Sequence, residues 1–133
     1  MARNRKTKFT ELKEIFKILH GPRGCLWDKQ QTHKSLIPYL KEEAGEFISA
    51  VDKGDLANMK EELGDILLQV MFHSQIASKE GKFDIEDVID TLVRKLKRRH
   101  PHVFAGTSVK SPEEIIRNWN RIKSTEKKKR GSC

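Results

Sequence analysis

The residue pattern predicts an all-α protein, a helical bundle of about five helices built around a central antiparallel helix hairpin. Three observations predict it. Apolar residues recur at three- and four-residue intervals nearly everywhere. No stretch sustains the two-residue alternation of a half-buried strand. The breaks fall at Gly21-Pro22, Lys53-Gly54 and His100-Pro101, pairs of the kind that end helices. The first helix runs from about Thr10 to Leu19, with Phe9, Leu12, Ile15, Phe16 and Leu19 as its stripe, and a loop through Gly24, Cys25, Trp27 and Asp28 follows. The second starts near Ser35 as its N-cap, accepts Pro38 because first-turn amides have no intrahelical partner, and stops at Gly54. Asp55 caps the third, which reaches about Glu80 before Gly81. Asp84 and Asp87 open the fourth, and Pro101 closes it. A loop to Lys110 leads to Ser111-Pro112-Glu113-Glu114, the pattern of a capping box with proline at N1, and the last helix is expected to fray into the lysine run.

The chain has 133 residues, 36% hydrophobic and 35% charged, a size and balance that fit one domain with a core and exclude a membrane span or a wholly disordered chain. The start MARNRKTK lacks the apolar segment of a signal peptide, so a cytoplasmic protein is expected. Cys25 and Cys133 have no second cysteine at ligand spacing and imply neither a disulfide framework nor a thiolate metal site. The formal charge of +8 is unevenly placed. Residues 1–8 and 123–133 each carry +4, while residues 9–122 hold 18 bases and 18 acids. The organisation expected is a basic tail over 1–8, a helical domain over 9–124 and a basic tail over 125–133. Tails of this kind are usually solvated, and nucleic acid would be met only through them.

The carboxylates are the informative residues. On the second helix Glu43 falls inside the apolar arc, with Glu46 beside Tyr39 at its edge, and Glu42 points further away. On the third, Glu62 and Asp65 project among Leu68, Phe72 and Ile76. Ionised carboxylates leave water at a cost of several kcal/mol unless paired or bound to a cation. A turn as short as Gly54-Asp55 makes the two helices antiparallel, so residues equidistant from it share a height. Glu43 and Asp65 stand eleven residues either side of Gly54, and Glu46 and Glu62 eight. Each pair on one helix is also spaced i, i+3 and shares a face. Either pair would be unremarkable by itself on a solvated face; matched heights bring the four to one point. An all-oxygen set suits magnesium, with manganese as a substitute, and the lack of a Glu-x-x-His pair disfavours iron. Lys95, Arg98 and Arg99 close the fourth helix, either as ordinary dipole stabilisers or as a polyphosphate clamp. Trp119 and Lys123 share a face of the last helix, where a tryptophan serves as core or stacks on a base.

Five blocks in order, Gly24-Cys25-Leu26-Trp27-Asp28, Gln31-Thr32-His33, Tyr39-Leu40-Lys41-Glu42-Glu43-Ala44-Gly45-Glu46, Glu61-Glu62-Leu63-Gly64-Asp65 and Arg98-Arg99-His100-Pro101-His102-Val103-Phe104, resemble the MazG family of nucleoside triphosphate pyrophosphohydrolases over residues 9–124. Leu26 stands where many members have proline, and the single copy is similar to the N-terminal one of two-copy members. The resemblance implies an all-α homodimer that hydrolyses nucleoside triphosphates to monophosphate and pyrophosphate with magnesium. It implies Glu43, Glu46, Glu62 and Asp65 as metal ligands, and Lys95, Arg99, Trp119 and Lys123 as nucleotide contacts, with Arg98 beside them. The segments Tyr39–Glu42 and Asn58–Glu61 would line the nucleotide pocket, with Tyr39 and Asn58 touching substrate. Glu42 or Glu61 would orient the attacking water, next to Glu43. The apolar second half of the third helix points independently to a second subunit. The main rival is a non-catalytic helical module that binds nucleotide or nucleic acid through its basic tails; a di-metal oxidoreductase is a third.

Overall fold

The computed structural model describes residues 7–131; Cys133 and most of the basic N-terminal segment lie outside them. Seven helices and no strand occur among the described residues: α1 Lys8–Leu19, α2 Leu26–Gln30, α3 His33–Lys53, α4 Leu56–Lys79, α5 Ile85–Arg99, α6 Pro101–Phe104 and α7 Pro112–Gly131. None is long and apolar enough to cross a membrane. The five long helices are those of the sequence pattern. The two extra ones, α2 and α6, are single turns inside the expected loops, too short to show a period.

The helix ends follow local chemistry. Thr7 caps α1 by accepting from the Thr10 amide at 3.1 Å. The second long helix begins three residues earlier than expected, because Thr32 is the N-cap and Ser35 is the N3 member of a reciprocal capping box. Gly54 ends it at φ 65°, a left-handed cap that L side chains resist, and Asp55 caps α4 through the Asn58 amide at 3.2 Å. At α7 the Ser111 hydroxyl accepts from the Glu114 amide, while the Glu114 carboxylate takes the Lys110 amide. The box is thus closed one residue further out than the usual pattern. The helix then continues through the lysine run instead of fraying at its start. Ahead of α2, the Cys25 amide donates to the Leu19 carbonyl at 2.8 Å, so closely that a Cβ on Gly24 would meet that carbonyl oxygen at 2.0 Å.

The contacts form two compact units, one extending to Ile85 and the other from Glu86 onward. In the first, α3 and α4 pair along their length and α1 packs on α4. Phe16, Leu36, Met71 and Phe72 form the core, with Phe9, Leu12, Ile76 and Ile85 around them. This core occupies the end of the hairpin away from the turn, where the stacked His33 and His73 rings also meet, Nδ1 to Nδ1 at 2.8 Å. Towards the turn Ala50 is the buried apolar residue. The acidic residues lie in that less covered half. Among the described residues of the second unit the buried one is Arg99, whose guanidinium meets Glu126 and Trp119 of α7.

Candidate metal centre

The hairpin delivers the convergence that its register requires. One oxygen from each of Glu43, Glu62 and Asp65 lies within 4.8 Å of the others, and all three side chains are half-buried. Glu46, more exposed, joins through Glu62 and does not belong to the tightest group. Glu43 and Glu62 approach closely enough to share a proton, yet each keeps a buried Oε2 with no hydrogen-bond partner. Glu42 and Glu61, each adjacent in sequence to one of these acids, are exposed.

The electrostatics are those of crowded like charges. The Glu62 carboxyl is held above the ordinary range first by its hydrogen bond with Glu43, then by partial burial. Glu46 is raised by its hydrogen bond with Glu62 and by the charge on Glu62. For Glu43 the hydrogen bond with Glu62 favours the charged form, but burial and repulsion from Asp65, Glu46 and Glu42 outweigh it, and its pKa also rises. Two orphaned oxygens inside a repelling cluster could both be satisfied by one hard cation. The donors are all carboxylate oxygens, which matches the preference of a small divalent ion.

The other sequence-predicted residues divide between the units. Tyr39 lies one turn before Glu43 and is packed edge-on against Trp27 with ring centres 5.8 Å apart; Asn58 is tied to its cap, Asp55, at 2.8 Å. Asn58 also lines a shallow depression with Glu46, Ser49, Lys53 and Glu62. In the second unit Trp119 is a packing residue within its own surroundings. The Arg99 guanidinium lies 5.1 Å from its ring centre, and His100 meets it edge-on at 5.2 Å. Lys95 is half-buried and Lys123 exposed. Glu126, which the sequence reading counted only as tail charge, bonds both Arg98 and Arg99. The signal for it was a lone acid in a basic run, on a helix long enough to return beside the end of α5.

Fold and site together define an α-helical protein whose central hairpin presents a carboxylate centre suited to a divalent cation. A family model described as the MazG nucleotide pyrophosphohydrolase domain matches residues 31–104, and the chain belongs to that family. It is similar to the nucleoside triphosphate pyrophosphohydrolase/pyrophosphatase MazG of Thermotoga maritima, at 54% identity over 93% of this chain and 47% of that protein. The nucleoside triphosphate pyrophosphohydrolase of Escherichia coli K12 is 42% identical over 85% of this chain and 43% of its own length. The chain therefore spans somewhat less than half of these curated relatives. Among solved structures, a mazG-related protein from Thermotoga maritima superposes with a TM-score of 0.70 at 32% identity, covering 86% of this chain and 97% of that one.

Proposed function

We propose that the protein is a magnesium-dependent nucleoside triphosphate pyrophosphohydrolase, releasing monophosphate and pyrophosphate. The observation that carries the reading is the cluster of Glu43, Glu62 and Asp65 with its unpartnered buried oxygens, in a chain whose relatives bear that activity in their names. Glu43, Glu46, Glu62 and Asp65 would hold the cation. Bound there, magnesium would offset the triphosphate charge and acidify a water, with manganese able to replace it. Glu42 and Glu61, exposed and each next in sequence to one of the four, would orient that water and accept its proton. Tyr39 and Asn58 would meet the nucleoside from the same hairpin. Lys95, Arg98, Arg99, Trp119 and Lys123 enter as substrate contacts on the strength of the family motif, the cations countering charge on the leaving pyrophosphate.

The protein is further proposed to act as a homodimer in the cytoplasm. Leu56 and Leu63, on α4, are 75% and 51% exposed, and Ile48, Val51, Leu67 and Val70 of the hairpin are exposed as well. So many uncovered apolar side chains call for a partner. Light scattering should give twice the chain mass; a monomer would remove this part of the reading. The activity is tested by pyrophosphate release from the common ribo- and deoxyribonucleoside triphosphates. Release should require magnesium and fall at least ~100-fold in Glu43→Gln and Asp65→Asn, since even outer partners of a metal site cost 10- to 100-fold. Wild-type rates in both variants would refute it.

A further inference from the structure

The basic C-terminal segment is one side of a folded helix. Along α7, Ile115, Asn118, Trp119, Ile122 and Glu126 are half-buried, and their spacing of i, i+3, i+4, i+7 and i+11 makes them a single packed stripe. Every other residue from Ile116 to Arg130 is exposed; seven of those positions hold lysine or arginine and none holds an acid. Glu126, the acid of this stretch, is drawn into the packed stripe by Arg98 and Arg99 of α5. Lysines in the last turn suit the helix dipole, but Arg117 and Arg121 stand well before it. As like charges at i, i+4 they work against the helix that carries them. Lys128 and Lys129 have interaction partners of their own, and Lys123 is assigned above to the substrate. Arg117, Arg121, Lys127 and Arg130 remain on the exposed side, Arg121 bonded to the neutral Asn118 Oδ1 at 3.3 Å.

At about 1.5 Å per residue, Arg117 to Arg130 extend over roughly 20 Å. Over that length a nucleic-acid duplex presents a phosphate charge about every 1.7 Å of its axis. The exposed side of α7 offers little besides charge. Trp119, the aromatic residue of this helix, lies in the packed stripe beside Arg99 and His100, which leaves no stacking platform of the kind that binds single strands. Ile115 and Ile122 share that stripe, and Ile116 alone is too small an apolar surface to enter a bilayer. We propose that the outer face of α7 docks on double-stranded nucleic acid through the phosphate backbone, with Arg117, Arg121, Lys127 and Arg130 each meeting a phosphate. A contact to phosphate alone carries no sequence information, so docking is indifferent to base sequence. It is separate from the carboxylate cluster and independent of the hydrolase reading.

The test is fluorescence anisotropy of a short labelled DNA duplex of mixed sequence, titrated with the full chain in EDTA and without nucleotide. Four phosphate contacts should make affinity fall about 100-fold between about 50 and 200 mM salt, a log–log slope of roughly −3.6. The fourfold variant Arg117→Gln, Arg121→Gln, Lys127→Gln and Arg130→Gln keeps good helix formers; it should lose most of that slope and bind at least ~10-fold more weakly at low salt. Arg117→Gln with Arg121→Gln should remove about half of the slope and covers the case in which the fourfold variant loses α7, as judged by circular dichroism. Lysine at those two positions should restore binding. An RNA duplex of the same length should bind comparably, and a preference beyond ~10-fold for either duplex would contradict contact through phosphate alone. No duplex binding by the wild type would overturn the proposal, as would a folded variant that keeps the wild-type affinity and slope. Tighter binding at equal salt to a single strand, or to vesicles of phosphatidylserine and phosphatidylcholine, would overturn it in favour of that partner.

Discussion

The hairpin and the α5–α7 unit use the same residue type to opposite ends. In the hairpin, Glu43, Glu46 and Glu62 face one another and Asp65, and their carboxyl groups are pushed above the ordinary range. In the other unit, Glu126 sits between two arginines, whose hydrogen bonds hold its carboxyl down at about 2. One arrangement crowds like charges together; the other sets a carboxylate against opposite charges. A helix-borne glutamate therefore means nothing chemically until the residues at its height on the neighbouring helix are known.

The largest effect expected from this contrast is the response to metal. If the acidic cluster binds magnesium, the ion stabilises the folded chain by about 2.7 kcal/mol at a free concentration 100 times its dissociation constant. Thermal denaturation should show a clear upward shift at pH 8 that shrinks on acidification. The sign follows from the raised pKa values. The folded cluster takes up protons more readily than the unfolded chain, so metal-free stability grows as pH falls toward the ordinary carboxylate range, while protons compete with the ion. A magnesium shift that grows on acidification would break the comparison from the hairpin side.

Neutralising single acids should then move stability in opposite directions. In EDTA at neutral pH, Glu43→Gln relieves repulsion and is expected to raise the melting temperature, whereas Glu126→Gln removes a stabilising partner and lowers it. The Glu126 contribution is present at and above its ordinary pKa near 4.5 and is lost as pH falls through about 2. High salt should weaken it. Acid titration of the α7 helical signal, compared between wild type and Glu126→Gln, checks this; coincident curves would contradict the ion-pair account.

How much of this was legible in the sequence differs along the chain. The five long helices declared themselves because each spans several turns of apolar period and ends at a cap or breaker, as Gly54 and Asp55 do. Leu26–Gln30 and Pro101–Phe104 did not, since a single turn has no period to read. The cluster of Glu43, Glu62 and Asp65 was legible because a short turn converts sequence distance into height. Glu46 was placed at the same point by that arithmetic, yet it stands at the edge, since height says nothing about how far a side chain turns toward its neighbours. The bond from Glu126 to Arg98 and Arg99 was not legible, for it depends on how α7 folds back beside α5 after an irregular connection.

The smallest expected effect bears on the uncovered face of the hairpin. A Cβ added at Gly45 or Gly64 would meet nothing within 4 Å, although both lie inside helices. Alanine there should stabilise an isolated chain by about 0.5–1 kcal/mol. Denaturant unfolding that shows destabilisation instead, together with a lower assembled mass, would locate the second subunit against these glycines.

The most direct test of the central claim, that acids on two neighbouring helices form one cation site, is manganese binding followed by electron paramagnetic resonance. Saturable binding to the full chain, weakened at least ~10-fold in each of Glu43→Gln, Glu62→Gln and Asp65→Asn, is the predicted result. Equal manganese affinity in the wild type and all three variants would contradict it.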